Sequence, residues 1–293
     1  MEPGTAAGAA TGALLRLVGR DALPLLHRIS TQSLLDLMPG QARATLFCDF
    51  RGRLLHRAVV AVTSGGAAWL LRDDAPALPL AEFIERFVFR EEVRVVVPRE
   101  DWSVVAAPGG FGLEPGAVRE RDQLPAEVQT RPNWGLALAP AEHVAPGPGV
   151  APDPGTEHAR IVAGLPRHGH EIAESFTPFE VGLGPEVHLN KGCYTGQEAL
   201  LRTVTYDSVR RRLARLRGAG PAPAVPHEVR AGGAPAGWLT SAADDLDPQR
   251  GPGWIGLAVL QLDAAATGVE VDVDGRAATV AHAFEMLPPL GRT

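Results

Sequence analysis

The sequence predicts an α+β protein built from more than one compact unit. Its 293 residues are enough for two or three units, each burying its own core. Helical and strand-like segments follow one another without regular β-α-β alternation, the pattern of antiparallel hairpins with helices packed on them. From Leu213 onward only short strand candidates separated by turns remain, which fits a small antiparallel barrel or sandwich.

Leu14 to Val18 reads as a strand, and Asp21 to Ile29 as a helix with Ala22, Leu25, Leu26 and Ile29 at helical spacing. Pro24 falls in its first turn, where a missing N–H is tolerated. Residues 41–48 and 53–63 are apolar and β-branched and flank D-F-R-G, which predicts a hairpin connection. Ala67 to Leu71 follows a Ser-Gly-Gly turn as a further strand, and Leu78 to Phe89 repeats apolar residues at helical intervals. Val93 to Val97 and Val104 to Ala107 return to strand composition. The stretch 145–156, A-P-G-P-G-V-A-P-D-P-G-T, cannot hold a regular element and reads as a linker or surface loop; residues 218–227 are similar. Beyond lie candidate strands at Leu213–Leu216, Gly237–Thr240, Trp254–Val259, Val269–Val273 and Ala277–Ala281, the last two joined by an Asp274–Gly275 hairpin signal. The expected division is an α+β region over residues 1–207 and a C-terminal barrel over 208–293.

The formal net charge of −6 gives no global attraction to phosphate and argues against direct nucleic-acid binding. The five arginines 210, 211, 212, 215 and 217 form a local basic stretch, whose alternation with Leu213 and Leu216 predicts a solvated strand face. The first fifteen residues carry an acid and no base before their apolar residues, unlike a secretion signal, and no apolar run reaches bilayer length. The expectation is a cytoplasmic protein without a membrane partner. Two cysteines, Cys48 and Cys193, make no disulfide framework. His168 and His170 form an H-x-H unaccompanied by a second ligand cluster, so no metal site is expected.

Residues 190–198 read N-K-G-C-Y-T-G-Q-E. Thr195 and Glu198 have the spacing of a capping box, which makes Thr195 an N-cap and sets Cys193 just outside a helix N-terminus. The partial positive charge there, with Lys191 nearby, favours a thiolate. Gly192 and Gly196 let a ligand approach the backbone, and Glu198 and Arg202 are spaced i, i+4. The residues equally allow a tight turn in which Cys193 packs as a small hydrophobe and Thr195–Glu198 is only a cap.

K-G-C-Y-T-G-Q-E, followed by Arg202, resembles the signature of the YgfZ-type folate-binding proteins, relatives of the glycine-cleavage aminomethyltransferase (T-protein). Arg160 to Ile172, R-I-V-A-G-L-P-R-H-G-H-E-I, is similar to the family's R-I-x-x-G-x-P-x-x-G-x-E, and Pro178 with Glu180 to its P-x-E. L-V-G-R-D-A at 17–22 and G-W-L-T-S-A at 237–242 extend the resemblance to most of the chain, most weakly between about 97 and 155. It implies a cloverleaf-like, aminomethyltransferase-type fold around a central folate site, closed on one side by the barrel. It also implies tetrahydrofolate as ligand, and iron–sulfur client or assembly proteins as partners. Under it, Lys191, Gly192, Cys193, Tyr194, Gly196, Gln197, Glu198 and Arg202 form the ligand-facing motif, with Cys193 as the candidate reactive group. Glu171 and Glu180 are the acids expected near the pterin, whose 2-amino edge a carboxylate can hold.

The chain departs from that pattern in two places. The aminomethyltransferase branch carries an acidic pair after its hairpin glycines, and the matching stretch, Gly52 to Arg57, ends in His56 and Arg57. A proton-handling carboxylate is therefore expected to be absent there, which counts against glycine cleavage; His56 on an alternating strand reads as a surface residue. An aromatic that stacks on the folate ring in the family is Thr156 here. The alternatives are a folate-dependent aminomethyltransferase, a transferase using Cys193 with His188 or His170 as base, and a non-catalytic scaffold for a partner protein.

Overall fold

The computed structural model describes residues 12–98, 102–140 and 154–291; residues 1–11 and most of the Pro/Gly stretch, with the readings made of them, lie outside these. The first sheet contains β1 (Ala13–Val18), β2 (Gln41–Cys48), β3 (Leu54–Val62), β4 (Ala68–Arg72) and β5 (Arg94–Val96), in the order β2-β3-β4-β1-β5. Two helices, α1 (Ala22–Ile29) and α2 (Ala77–Glu85), cover one face. Alternate strand residues sort by face. Leu15, Leu17, Phe47, Ala58, Val60 and Leu70 pack with Leu25, Leu26, Ile29, Leu80 and Ile84 of the helices. Leu14, Val59, Ala61, Trp69 and Leu71 point the other way, onto a second sheet. Because both faces are covered there, the second half of β3, residues 58–62, is a continuous apolar run rather than an alternating one. The D-F-R-G hairpin forms as expected: Gly52 has φ 73° and donates to Asp49 O at 3.0 Å. Helix α2 stops at Glu85, short of the expected Phe89, because Phe87 and Val88 turn back onto Ile84 and Glu85.

The second sheet has the order β6-β9-β8-β7, from β6 (Trp102–Pro108), β7 (Val118–Arg121), β8 (Leu124–Arg131) and β9 (Trp134–Pro140). Only β6 was expected from the sequence. The β7–β8 turn uses Asp122 and Gln123, both with positive φ, where the usual signal is Asn-Gly or Asp-Gly. Helix α3 (Pro154–Ala163) begins inside the expected linker, with Pro154 at its first position, where no N–H is needed.

The C-terminal part is a closed barrel of six antiparallel strands in the order β10-β13-β12-β11-β14-β15. These are β10 (Arg211–Ala219), β11 (His227–Ala231), β12 (Ala234–Asp244), β13 (Gly253–Gln261), β14 (Glu270–Val273) and β15 (Arg276–Ala283). β11 is the strand missed from sequence, starting at the edge of the Pro-rich 218–227 stretch. Asp274 and Gly275 turn the β14–β15 hairpin with φ 57° and 71°, as expected. The basic stretch is more than a solvated face. Arg211 donates to Glu180 and to Ser175 O, Arg215 to Val162 O, and Arg217 to Asp245 and Arg250 O. Two of these arginines therefore tie the barrel to the body.

β2 is the edge strand of the first sheet, and most of its outward backbone is claimed. Gly40 O, just before it, accepts from Val118 N at 2.9 Å, and Ala42 N donates to Gly116 O at 2.7 Å. Leu46 N donates to Thr31 Oγ1 at 3.1 Å and Leu46 O accepts from Thr31 N at 2.9 Å. Residues 42, 44 and 46 share one side of the strand. Ala44, between them, is left without a backbone partner on that side among the described residues.

Candidate functional site

The signature motif sits where α1, the Asp49–Gly52 turn and the last helix meet. That helix, α4 (Gln197–Thr205), begins one residue later than a Thr195 cap would place it. Gly196 is its N-cap, with φ 84° and no side-chain cap bond, so the expected capping box does not form. The reason is packing. A Cβ on Gly196 would lie 2.5 Å from Asp49 O, and one on Gly52 would lie 2.9 Å from a Leu200 methyl. The glycine thus admits the neighbouring turn, whereas nothing stands within 4 Å of a Cβ on Gly192.

Within the motif the side chains part company. Cys193 is exposed and its sulfur has no hydrogen-bonded base among the described residues. Tyr194 is buried in the cluster beneath the motif with Cys48 and Leu200, its hydroxyl unpartnered, and burial pushes its phenol up. Lys191 Nζ donates to His27 O and lies 4.9 Å from the Tyr194 ring centroid. Burial lowers its ammonium to about 7. Gln197 donates to Leu189 O at 2.6 Å. Glu198 and Arg202 form their i, i+4 ion pair at 2.8 Å, both more than two-thirds exposed, an arrangement worth about 0.3–0.5 kcal/mol at most. His170 lies elsewhere, its Nδ1 2.6 Å from Thr240 O, and His188 Nδ1 accepts from Asn190 N.

The two acids expected at a pterin are structural joints. Glu171 is fully buried, and its four acceptor positions are met by Thr240 Oγ1, Ser241 Oγ, Arg167 N and Arg160 Nη1. This links α3 to the barrel strand β12. Glu180 accepts from Thr177 N, Thr177 Oγ1 and Arg211 Nε, with Arg53 Nη1 at 3.6 Å. Glu171 retains no acceptor for a ligand, while Glu180 Oε1, which accepts from Arg211 Nε alone, keeps one. They are also not the exposed carboxylates that their chemistry alone would suggest.

His56 is half-buried rather than on the open surface. Its ring lies parallel to that of His168 at 5.8 Å and edge-on to Phe83 at 5.4 Å. Burial, with Arg72 and His168 adding to it, lowers His56 to about 3, and burial likewise lowers His168. Arg72 beside them is buried, with Asp74 Oδ1 3.9 Å from its Nε. On the opposite side of β3, Arg57 makes a bidentate pair with Glu186, both bonds 2.8 Å. Asp73 stands within electrostatic reach of Arg57; burial and Asp74 raise its carboxyl to about 6. The 52–57 stretch itself carries no carboxylate, as expected, but Asp73 brings one within electrostatic reach of Arg57. It arrives from the end of β4, out of register with the G-R-L-L-H-R stretch. The dipeptide Asp73–Asp74 directly after a buried strand was the available signal.

A cleft of about 810 Å³ opens between β2, β8 and the segment 182–187. Apolar Leu37, Val59, Pro185 and Leu287 line it together with Arg43, Ala44, Arg131 and Glu186. Neither the 160–180 segment nor the 191–198 motif does. Arg43 is committed to Asp36 and Ser33 O. The Arg131 guanidinium has no hydrogen-bond acceptor among the described residues, and burial lowers its pKa. Arg131 carried no motif and lay where the sequence resemblance is weakest. Among the described residues, no group of three or more His, Cys, Asp or Glu side chains could hold a metal ion. No described helix is long and apolar enough to cross a membrane.

Two helix-backed or paired antiparallel sheets joined to a closed barrel define an aminomethyltransferase-type architecture. The fold matches that of the glycine cleavage system aminomethyltransferase T from Bartonella henselae, with a TM-score of 0.74 and 16% identity, over 98% of this chain and 88% of that one. Residues 210–285 match the family described as CAF17, C-terminal beta-barrel domain. A putative chloroplastic transferase of Arabidopsis thaliana, At1g60990, is 34% identical over 138 residues, 45% of this chain and 31% of that protein. An aminomethyltransferase of Moorella thermoacetica is 39% identical over 121 residues, 40% of this chain and 31% of its own length. The chain thus spans about a third of the length of these curated relatives.

Proposed function

We propose that this protein binds tetrahydrofolate and supports the assembly or repair of iron–sulfur clusters in client enzymes of the cytoplasm, tRNA-modifying enzymes among them. The observation that carries the ligand is the cleft between β2 and β8, large enough for a folate and lined by apolar side chains, with an arginine at its wall that has no hydrogen-bond acceptor among the described residues. Its setting in an aminomethyltransferase-type fold, and the CAF17-type barrel, support the same reading. We further propose that residues 1–207 and 208–293 are the two units, the first holding the ligand. Cys193, exposed on the signature motif, is the group through which a client or assembly protein is engaged. The other motif residues, from Lys191 to Arg202, fix the backbone that presents that thiol. Calorimetric titration of the purified protein with tetrahydrofolate tests the first part; no heat at high micromolar ligand would sink it. In a deletion strain, loss of cluster-dependent enzyme activity with no rescue by Cys193→Ser tests the second.

Asp73 favours a second reading, folate-dependent aminomethyl transfer, because burial and Asp74 raise its carboxyl to about 6 within electrostatic reach of Arg57. An aminomethyl-transfer assay run with the titration decides it: turnover lost in Asp73→Asn supports transfer, and no turnover in the native chain removes it.

A further inference from the structure

The unclaimed backbone of Ala44 lies in the cleft. On the same side of the strand the Ala42 N–H is met by Gly116 O and both Leu46 groups by Thr31, while Ala44 lines the cavity with its N–H and C=O outward, next to the Ala42 carbonyl, which has no partner among the described residues. In an extended residue these two groups stand side by side, one donor and one acceptor, and an unmet pair away from bulk water is costly. Their complement is a cyclic amide, whose ring N–H and carbonyl oxygen lie adjacent on one edge. Across the cleft, Arg131 adds a planar cation whose N–H groups find no acceptor among the described residues. Such a fork matches a carboxylate. The remaining wall, Leu37, Val59 and Leu287, is apolar and suits the faces of a flat ring.

We infer that Ala44 reads the lactam edge of a planar heterocycle and that Arg131 receives a carboxylate carried by the same ligand. This rests on the folate reading above and deepens it: in tetrahydrofolate the two groups are the pterin lactam and the glutamate tail. It also assigns recognition of the ring to a backbone amide, in place of Glu171 and Glu180.

The test is a titration of the native chain, Arg131→Ala and Ala44→Pro with tetrahydrofolate and with a tetrahydropterin lacking the glutamate. Proline removes only the N–H, at an edge position where no strand bond is lost. Arg131→Ala is expected to weaken tetrahydrofolate about tenfold or more, the scale of one lost charged hydrogen bond, and to leave the tetrahydropterin unchanged. Ala44→Pro is expected to weaken both, with its far-ultraviolet circular dichroism and melting temperature kept as a check on folding. Should Ala44→Pro fail to fold, the Arg131→Ala comparison decides alone. No binding of either ligand to the native chain overturns the folate reading and this one with it. Native binding that Arg131→Ala leaves untouched overturns only the assignment made here.

Discussion

His27 and Lys191 exchange hydrogen bonds across 164 residues of chain: His27 Nε2 meets Lys191 O at 2.9 Å, and Lys191 Nζ donates to His27 O. Leu34 N donates to His27 Nδ1, so the neutral ring carries its hydrogen on Nε2. The signature motif is thereby latched to α1, and the lysine is spent on that latch and on the Tyr194 face rather than on the neighbouring thiol.

Lys191 is expected to make the protein more stable as pH rises above neutrality. Its folded value near 7 lies below the ordinary 10.5, so between these values the unfolded chain holds a proton that the folded chain does not, and stability climbs through that window. A melting-temperature profile of Lys191→Met should be flatter there; an unchanged slope would assign the effect to other groups.

The half-buried histidines act in acid. With His56 near 3 against an ordinary 6.5, and His168 shifted the same way, unfolding takes up protons below about pH 6.5, and stability is lost as pH falls towards 3. Urea unfolding at pH 7, 5 and 4 should show this, with a smaller loss in His56→Phe.

Gly196→Ala and Gly192→Ala separate packing from conformation. Both positions have positive φ, which costs a non-glycine residue about 1–2 kcal/mol. Only at Gly196 would the new methyl also strike a backbone oxygen, that of Asp49. Gly196→Ala should therefore be the more destabilising of the two by chemical denaturation, and equal losses would refute the packing argument.

Glu171→Ala removes the carboxylate that faces Arg160, Thr240 and Ser241 in the interior. Breaking one side of a buried ion pair costs about 3–5 kcal/mol. Equilibrium unfolding should show a loss of that order, and a change under 1 kcal/mol would mean that water replaces the carboxylate.

Thiol labelling should be one-sided. Cys193 is exposed while Cys48 is fully buried, with burial pushing its thiol up, and the thiolate is the reactive form. Mass spectrometry after iodoacetamide treatment is expected to find native protein modified at Cys193 alone, with Cys48 joining only in denaturant.

Elements with strong periodicity or turn chemistry were legible in the sequence: α1 through Leu25, Leu26 and Ile29, the β2–β3 hairpin through Gly52, and the β14–β15 hairpin through Asp274–Gly275. The second sheet was largely not, because β7 is V-R-E-R, β8 contains Pro125, and their turn uses no glycine. At the motif, the spacing of Thr195 and Glu198 was right for a capping box, but a tertiary contact with Asp49 set the helix start at Gly196 instead. Glu171 and Glu180 show that a motif acid's chemistry does not reveal how many donors the fold will aim at it. Ala44 and Arg131 were invisible for a different reason: their roles come from what neighbouring strands leave unpaired.

The same gap at Ala44 bears on self-association. An edge strand with a run of open amides invites another chain to pair with it. Here Val118 and Gly116 occupy Gly40 O and Ala42 N before Ala44, and Thr31 occupies Leu46 after it, so the open groups among the described residues are the Ala42 carbonyl and the Ala44 amide and carbonyl. That opening is wide enough for a small ring and too short to seed a ladder, and the first sheet can keep a ligand-sized vacancy on its rim without becoming a template for aggregation.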